Sequence, residues 1–326
     1  LLPICLSRSA IDSDQWDQLI EKSQQNVVYA KSWYLDIVCQ DWNAIVWPST
    51  GTYEVLMPLP LKTKFGRQVI QQPFYCQFLG IFSQNEITVQ IAYEFLTVLD
   101  LNFNYISAYC FNPHNFRSLN DQLGRFEKFR TQIHCTHLLN MSRSFSEIYS
   151  GYSSDRRLNI KRSQEAGWSI KESKDITPLI ALFSENHASG IPGGVSDSAY
   201  ALLVKLYMRL RENGYAKLYY ANKNETIHAG VLLAKSDTKT IYLFNAADKT
   251  GRNGNGRSFI LNEYFQENAG LQHVFDFESP QIASIARFYK SFGSEETHFF
   301  SIIKNDLEFP WKQLQNFRKA ILTAWK

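Results

Sequence analysis

An α+β fold in two unequal halves is what the sequence predicts, and three observations predict it. First, three short alternating segments, Ala216–Asn222, Thr226–Lys235 and Thr240–Asn245, are joined by the brief polar turns Asn222-Lys223-Asn224 and Ser236-Asp237-Thr238. That is the pattern of an antiparallel meander. Second, a helix (Ser258–Asn268), a strand (His273–Phe277), a helix (Gln281–Phe292) and a strand (Thr297–Ile303) follow, without the repeating βαβ units of a doubly wound sheet. Third, 326 residues suffice for about two domains, each burying a core without staples. The expected boundary divides the chain into 1–141 and 142–326.

Each element has its own signal. A strand at Pro3–Ser7 precedes Asp12-Ser13-Asp14, which start an amphipathic helix running to Glu21–Lys22. Ser32 opens a second helix carrying Trp33, Ile37 and Val38. Trp42–Trp47, Tyr53–Leu59 and Gln68–Gln72 read as strands broken by Pro48, Gly51, Pro58, Pro60 and Gly66. Ile87–Leu99 has helical spacing, and Phe103–Phe111 and Ile133–Leu139 read as strands. In the second half, helix Tyr152–Ala166 stops at Gly167. Helices follow around Pro178–His187 and Ser198–Glu212, and a last one spans Gln313 to Ala324.

Composition narrows the function. With 44% hydrophobic and 20% charged residues, long disorder and low-complexity tracts are excluded. No apolar run approaches the ~20 residues of a membrane span. No basic stretch precedes the apolar Leu1–Leu6, so a signal peptide is not expected, with Leu1 read as a trimmed start. A net charge of +3 is too mild to argue for nucleic acid by itself. The five cysteines are odd in number, dispersed and never C-x-x-C, which predicts reduced residues in a cytoplasmic protein.

Three segments are candidates for chemistry. Gly251-Arg252-Asn253-Gly254-Asn255-Gly256-Arg257-Ser258 lies between a strand and a helix, where backbone amides can hold an anion. It nearly spells a Walker A loop, but Arg257 stands in place of the lysine and the antiparallel context is wrong for an NTPase. A polar loop without a ligand is the alternative. Next, Phe275-Asp276-Phe277-Glu278 alternates, which puts Asp276 and Glu278 on one face of a strand. A carboxylate beside apolar walls can be tuned as a base near neutral pH, with Glu278 at the strand end the better placed; helix capping or solvent contact is the alternative for both. Finally, Arg156, Arg157, Lys161 and Arg162 form the strongest basic cluster, able to meet carrier phosphates or to form a solvated helix face.

His134-Cys135-Thr136-His137 does not read as a metal site, because His134 and His137 point to opposite faces of a strand. No metal is expected. No G-x-S-x-G elbow is present, so a hydrolase triad is unsupported. His187 precedes a glycine-rich stretch that can serve as a lid, or it caps its helix. Tyr219, Tyr242 and Asn245 lie on strands that can line a cleft.

The strand ending in Asp276-Phe277-Glu278, followed by Ala286-Arg287-Phe288-Tyr289-Lys290-Ser291-Phe292-Gly293, resembles the end of a GNAT fold, and more closely its Fem-type branch, the FemA/FemX-like peptidyltransferases and their relatives. Arg156/Arg157 through Ile160, Lys161, Ala166 and Gly167 resembles the opening of the Fem-type second domain. Tyr29–Ile37 and Gln72–Phe82 resemble segments of its first. The resemblance implies two GNAT-like domains with mixed, mostly antiparallel sheets flanked by helices, and an N-acyltransferase. In it, Glu278 is the base, directly or through water, and Tyr289 protonates the departing carrier. Arg157 and Lys161 on the basic helix hold the donor's carrier together with Arg252, Gly254 and Gly256, the last three in the manner of a GNAT pyrophosphate loop, although Gly251 occupies that loop's R/Q position and Arg252 stands one place late. Lys290, Asn245 and His187 meet substrate between the domains.

The implied donor is acyl-CoA, with no tightly bound cofactor. The implied acceptor is a small molecule or a cell-wall or polysaccharide precursor. No long helical arm is visible, so aminoacyl-tRNA is not indicated as donor. Two rivals stand beside this reading: a non-catalytic scaffold that binds a glycan or lipid-linked precursor, and an RNA-binding protein using the Arg156–Arg162 helix.

Overall fold

A computed structural model describes residues 2–48, 52–64, 66–191, 193–278 and 282–324. The chain separates into two compact units, residues 1–134 with 298–326, and residues 135–297. The first unit is therefore made of two stretches of sequence and the second of one, whereas the boundary read from the sequence lay at 141/142.

In the first unit, β1 (Ile4–Ser7) leads to α1 (Ser13–Lys22), whose start is capped by Asp12 accepting from the amides of Asp14 and Gln15. Trp16 is wholly buried, donates its indole N–H to the Ala30 carbonyl at 2.8 Å, and packs on Trp42. α2 (Ser32–Val38), β2 (Asp41–Trp47), β3 (Val55–Lys64), β4 (Arg67–Gln71), β5 (Phe82–Ser83), α3 (Val89–Asn102), β6 (Tyr105–Cys110) and α4 (Phe116–Leu123) follow. The sheet order is β1-β2-β3-β4-β6, with β5 on β3.

Pro58 and Pro60 were expected to break the chain, yet β3 runs through both. Over Met57–Pro60 it pairs with β2, while β5 pairs only at Val55–Leu56 and β4 only from Leu61 onward. Two prolines two residues apart turn their missing amides to the same, unladdered side, where a strand tolerates them.

β7 (Phe129–Asn140) carries the chain into the second unit. There α5 (Phe145–Ser150) and α6 (Ser154–Glu165) precede β8 (Ser169–Glu172), α7 (Thr177–Asn186) and α8 (Asp197–Glu212). The expected meander is present as β9 (Ala216–Lys223), β10 (Thr226–Lys235) and β11 (Lys239–Ala247). Then come α9 (Lys249–Asn253), α10 (Gly256–Asn268), β12 (Val274–Asp276) and α11 (Ala283–Lys290). The sheet order here is β7-β12-β11-β10-β9-β8. β13 (Glu295–Asn305) and α12 (Trp311–Ala324) complete the chain, and β13 pairs with β6 from Ser301 onward. The expected helix start at Gln281 lies outside the described residues.

Helix α10 holds the second unit's core together. Ile260, Leu261, Tyr264, Phe265 and Asn268 are buried at helical spacing. Phe265 meets Phe275 edge-on at 4.8 Å and lies 5.7 Å from Phe292, each ring contributing about 2–3 kcal/mol of burial. Among the described residues, no helix is long and apolar enough to cross a membrane.

Candidate active site

The site begins where two parallel strands separate. β12 pairs with β11 over Lys239↔Val274, Thr240↔Phe275 and Ile241↔Asp276, and there the pairing ends while β11 runs on to Ala247. A parted pair of this kind presents one strand's backbone amides to whatever enters the gap, and amides so placed can polarise an acyl carbonyl.

Asp276 closes the paired stretch. It is fully buried, and its Oδ1 accepts from the Thr136 hydroxyl at 2.6 Å and from the Glu278 amide at 2.9 Å. Burial holds its carboxyl above the usual range. The bond back from Glu278 is an Asx-type turn, and Glu278 adopts φ +54°, the left-handed region. The face-sharing expected of Asp276 and Glu278 therefore fails: strand alternation ends at Asp276, and Glu278 is aimed by the turn. Burial pushes the Glu278 carboxyl up to about 8.

Tyr289, on α11, is 6% exposed. Its ring lies 5.0 Å from Phe277, 5.9 Å from His137 and 6.1 Å from Tyr242. Burial first, then the negative charge that Tyr242 and Glu278 can carry, raise its hydroxyl well above the tyrosine range. The phenol thus stays protonated, the form needed for proton donation. Its ring belongs to the apolar core. Tyr242 keeps a buried hydroxyl and His137 two buried ring nitrogens without hydrogen-bond partners among the described residues. Burial pushes Tyr242 up to about 12 and lowers His137, which is neutral at pH 7.

Positive charge reaches Tyr242 through Arg156, a member of the basic cluster read from the sequence, and through Arg257, which the sequence did not single out as a site residue. Arg156 is buried, stacks over Phe288 and Phe292 at 4.4 and 4.2 Å, and donates to the hydroxyls of Ser291 and Ser258. Burial draws it down to about 10, so it remains a cation. Arg257 donates to Asn245 Oδ1 at 2.6 Å and lies 5.8 Å from the Phe288 ring. The signal for both was helical phase: Arg156 sits one turn before the buried Ile160, and Arg257 lies in the first turn of α10, one turn before the buried Leu261.

The remaining candidates are placed as follows. Arg157 and Lys161 lie on the exposed side of α6, Arg157 donating to the Ser150 carbonyl at 3.2 Å. Lys290 forms an ion pair with Glu296. His187 Nε2 meets the backbone of Ala247 at 3.0 Å, and its ring stacks on Phe183. Arg252 donates to the same Ala247 carbonyl at 2.7 Å. Asn245, Arg257, His187 and Arg252 are thus gathered at the far end of β11.

The glycine segment is not the open loop expected. Residues Lys249–Asn253 form α9, and the glycines are filled by neighbours. A Cβ on Gly254 would fall 2.5 Å from the Trp168 ring, whose N–H bonds the Gly254 carbonyl at 2.7 Å. One on Gly251 would meet the His228 carbonyl at 2.1 Å, and one on Gly256 would meet Ala229 at 3.1 Å.

No protein-family model matches this chain, and no curated protein matches its sequence. Solved structures do match. FemX is 12% identical, covers 93% of this chain and 98% of its own, and superposes with a TM-score of 0.63. A conserved protein of unknown function from Bacteroides thetaiotaomicron is 11% identical over 93% of this chain and 100% of its own, at 0.57. A tandem GNAT protein from the clavulanic acid biosynthesis pathway is 11% identical over 94% and 99%, at 0.51. At such identities the likeness speaks of architecture, and the architecture is plain: the chain has the GNAT-like α+β fold of the Fem type.

Proposed function

We propose that this protein is an N-acyltransferase that moves an acyl or aminoacyl group from a thioester or ester donor to an amine. The observation that supports the reading is that the Glu278 charge acts on the buried Tyr289 phenol, whose ring packs on Phe277 just past the point where β11 and β12 part. The attacking nitrogen forms a C–N bond at the donor carbonyl and gives its proton to the Glu278 carboxylate, directly or through water. The C–S or C–O bond then breaks, and the departing carrier takes the Tyr289 proton. A carboxyl that titrates at about 8 is matched to a base working near neutral pH. Parted-strand amides stabilise the oxyanion. Arg156 and Arg257 supply positive charge felt at Tyr242, and Arg157, Lys161 and Arg252 remain proposed contacts for carrier phosphates.

Acyl-CoA is the proposed donor and a cell-wall or polysaccharide precursor the proposed acceptor, with Lys290, Asn245 and His187 facing it. The test is a panel of acyl-CoA and charged-tRNA donors with amine acceptors, read by product mass, for wild type, Glu278→Gln and Tyr289→Phe. Transfer by wild type that both variants lose supports the reading. Transfer that neither variant impairs removes this site from it.

A second reading, a scaffold that binds a precursor without catalysis, is favoured by the Trp168 ring against Gly254 and by the burial of Tyr289. Titration calorimetry separates the two. Binding of neither acetyl-CoA nor charged tRNA, with tight binding of a glycan, selects the scaffold.

A further inference from the structure

The second unit holds a cavity of about 420 Å³ whose lining is distinct from Glu278, Tyr289 and their neighbours. Its size falls in the range of small-molecule sites. Four aromatic residues line it: Trp168, Tyr219, Phe259 and Tyr264. Trp168 and Tyr264 are buried and held, one by the Gly254 carbonyl and the other by the Thr240 hydroxyl at 2.8 Å. Tyr219 leans on Tyr264 with ring centroids 6.3 Å apart. Two walls of the cage are thus rigid before any ligand arrives.

Three carboxylates complete the lining: Glu172, Glu263 and Glu267. Glu263 and Glu267 are one turn apart on α10, and Glu172 stands directly opposite Tyr219 in the β8–β9 register. Lys217 pairs with Glu172 at 3.0 Å and Lys235 lies 5.9 Å from the Tyr264 ring, while Glu263 and Glu267 have no ion-pair partner among the described residues. The negative charge faces the aromatic wall: after burial, Glu172 and Glu267 are the main causes raising the Tyr219 phenol. Aromatic faces and carboxylates attract the same thing, an organic cation, and they repel a phosphate or an acid.

We propose that this cavity binds a linear polyamine, with its methylenes against the rings and its ammonium groups on the glutamates. Aliphatic chain suits the rings and Ile260, and a single ammonium would leave charge on the lining unmatched. The site is independent of acyl transfer, so the two readings stand or fall separately.

The experiment is titration calorimetry of the whole protein with spermidine, using 1,6-hexanediol as the uncharged control. Spermidine binds one to one and more weakly as salt rises, and the diol does not bind. Glu263→Gln/Glu267→Gln weakens spermidine about tenfold or more, and Tyr219→Leu about two- to fivefold. Glu225→Gln, on the separate Lys171 pair, changes nothing. Glu267 is exposed, so Glu267→Gln alone tests the charge without touching packing. No binding at millimolar spermidine, equal binding of the diol, or glutamate variants that bind as wild type does would overturn the proposal.

Discussion

The backbone amide of Glu278 is bonded to the side chain of Asp276, two residues earlier, at 2.9 Å, and this bond holds Glu278 at φ +54°. A buried carboxylate that satisfies a hydroxyl and an amide is a positioning group, and the residue it positions carries the proposed chemistry. Asp276→Ala leaves the Thr136 hydroxyl and the Glu278 amide without their acceptor, so it lowers stability by about 1–3 kcal/mol in urea unfolding. Asp276→Asn keeps the accepting oxygen and costs less.

The proposed role of Glu278 predicts that stability and acyl transfer respond to pH in opposite directions. Burial lifts its carboxyl from 4.5 to about 8, so the folded chain keeps a proton that the unfolded chain releases. The stability it contributes is full below about pH 4.5 and is lost as pH rises through 8. Urea midpoints of wild type therefore fall from pH 6 to 9 relative to those of Glu278→Gln. If Glu278 is the base proposed above, its carboxylate form appears over the same interval and kcat/KM climbs to a plateau above pH 8. Glu278→Gln abolishes that climb and lowers kcat/KM by about 10²–10⁴.

Tyr289→Phe keeps the ring against Phe277 and removes one hydroxyl. Turnover in a verified acyl-transfer assay falls at least about tenfold, while the unfolding midpoint changes by less than about 1 kcal/mol. An unchanged rate excludes Tyr289 from the mechanism.

Two glycines are required by close packing. Gly293 sits at φ +75° with a notional Cβ 2.8 Å from the Gly151 carbonyl, and Gly254 faces the Trp168 ring. Gly254→Ala overpacks a rigid indole and costs about 1–3 kcal/mol. Gly293→Ala adds backbone strain to a clash with backbone and costs more. Urea unfolding of the two variants ranks them.

Adjacent arginines on α6 give unequal results. Arg156→Met loses two hydroxyl partners and the contacts with Phe288 and Phe292, and lowers stability by about 2–4 kcal/mol. Arg157→Met, on the exposed side, changes it by about 0.5 kcal/mol or less. Thermal unfolding of both variants checks the contrast.

Local signals along the chain were enough to specify the meander, the helices on either side of it, and the Tyr289-to-Gly293 run at the end of α11. These are short-range matters: hydrophobic period, turn chemistry and capping are settled within a few residues. What it misread depended on distant partners. Pro58 and Pro60 look like breakers until β2 is seen to be the strand alongside them. Gly251, Gly254 and Gly256 look like an open loop until α9 forms and His228, Trp168 and Ala229 pack against their Cα atoms. Which arginine of α6 goes inside was decided by Ser258, Ser291 and two rings more than a hundred residues away. Glu278 was named from its place at a strand end, but its left-handed turn and raised carboxyl came from Asp276 and from burial. A residue's type is local information, while its desolvation and its partners exist only once the chain has packed.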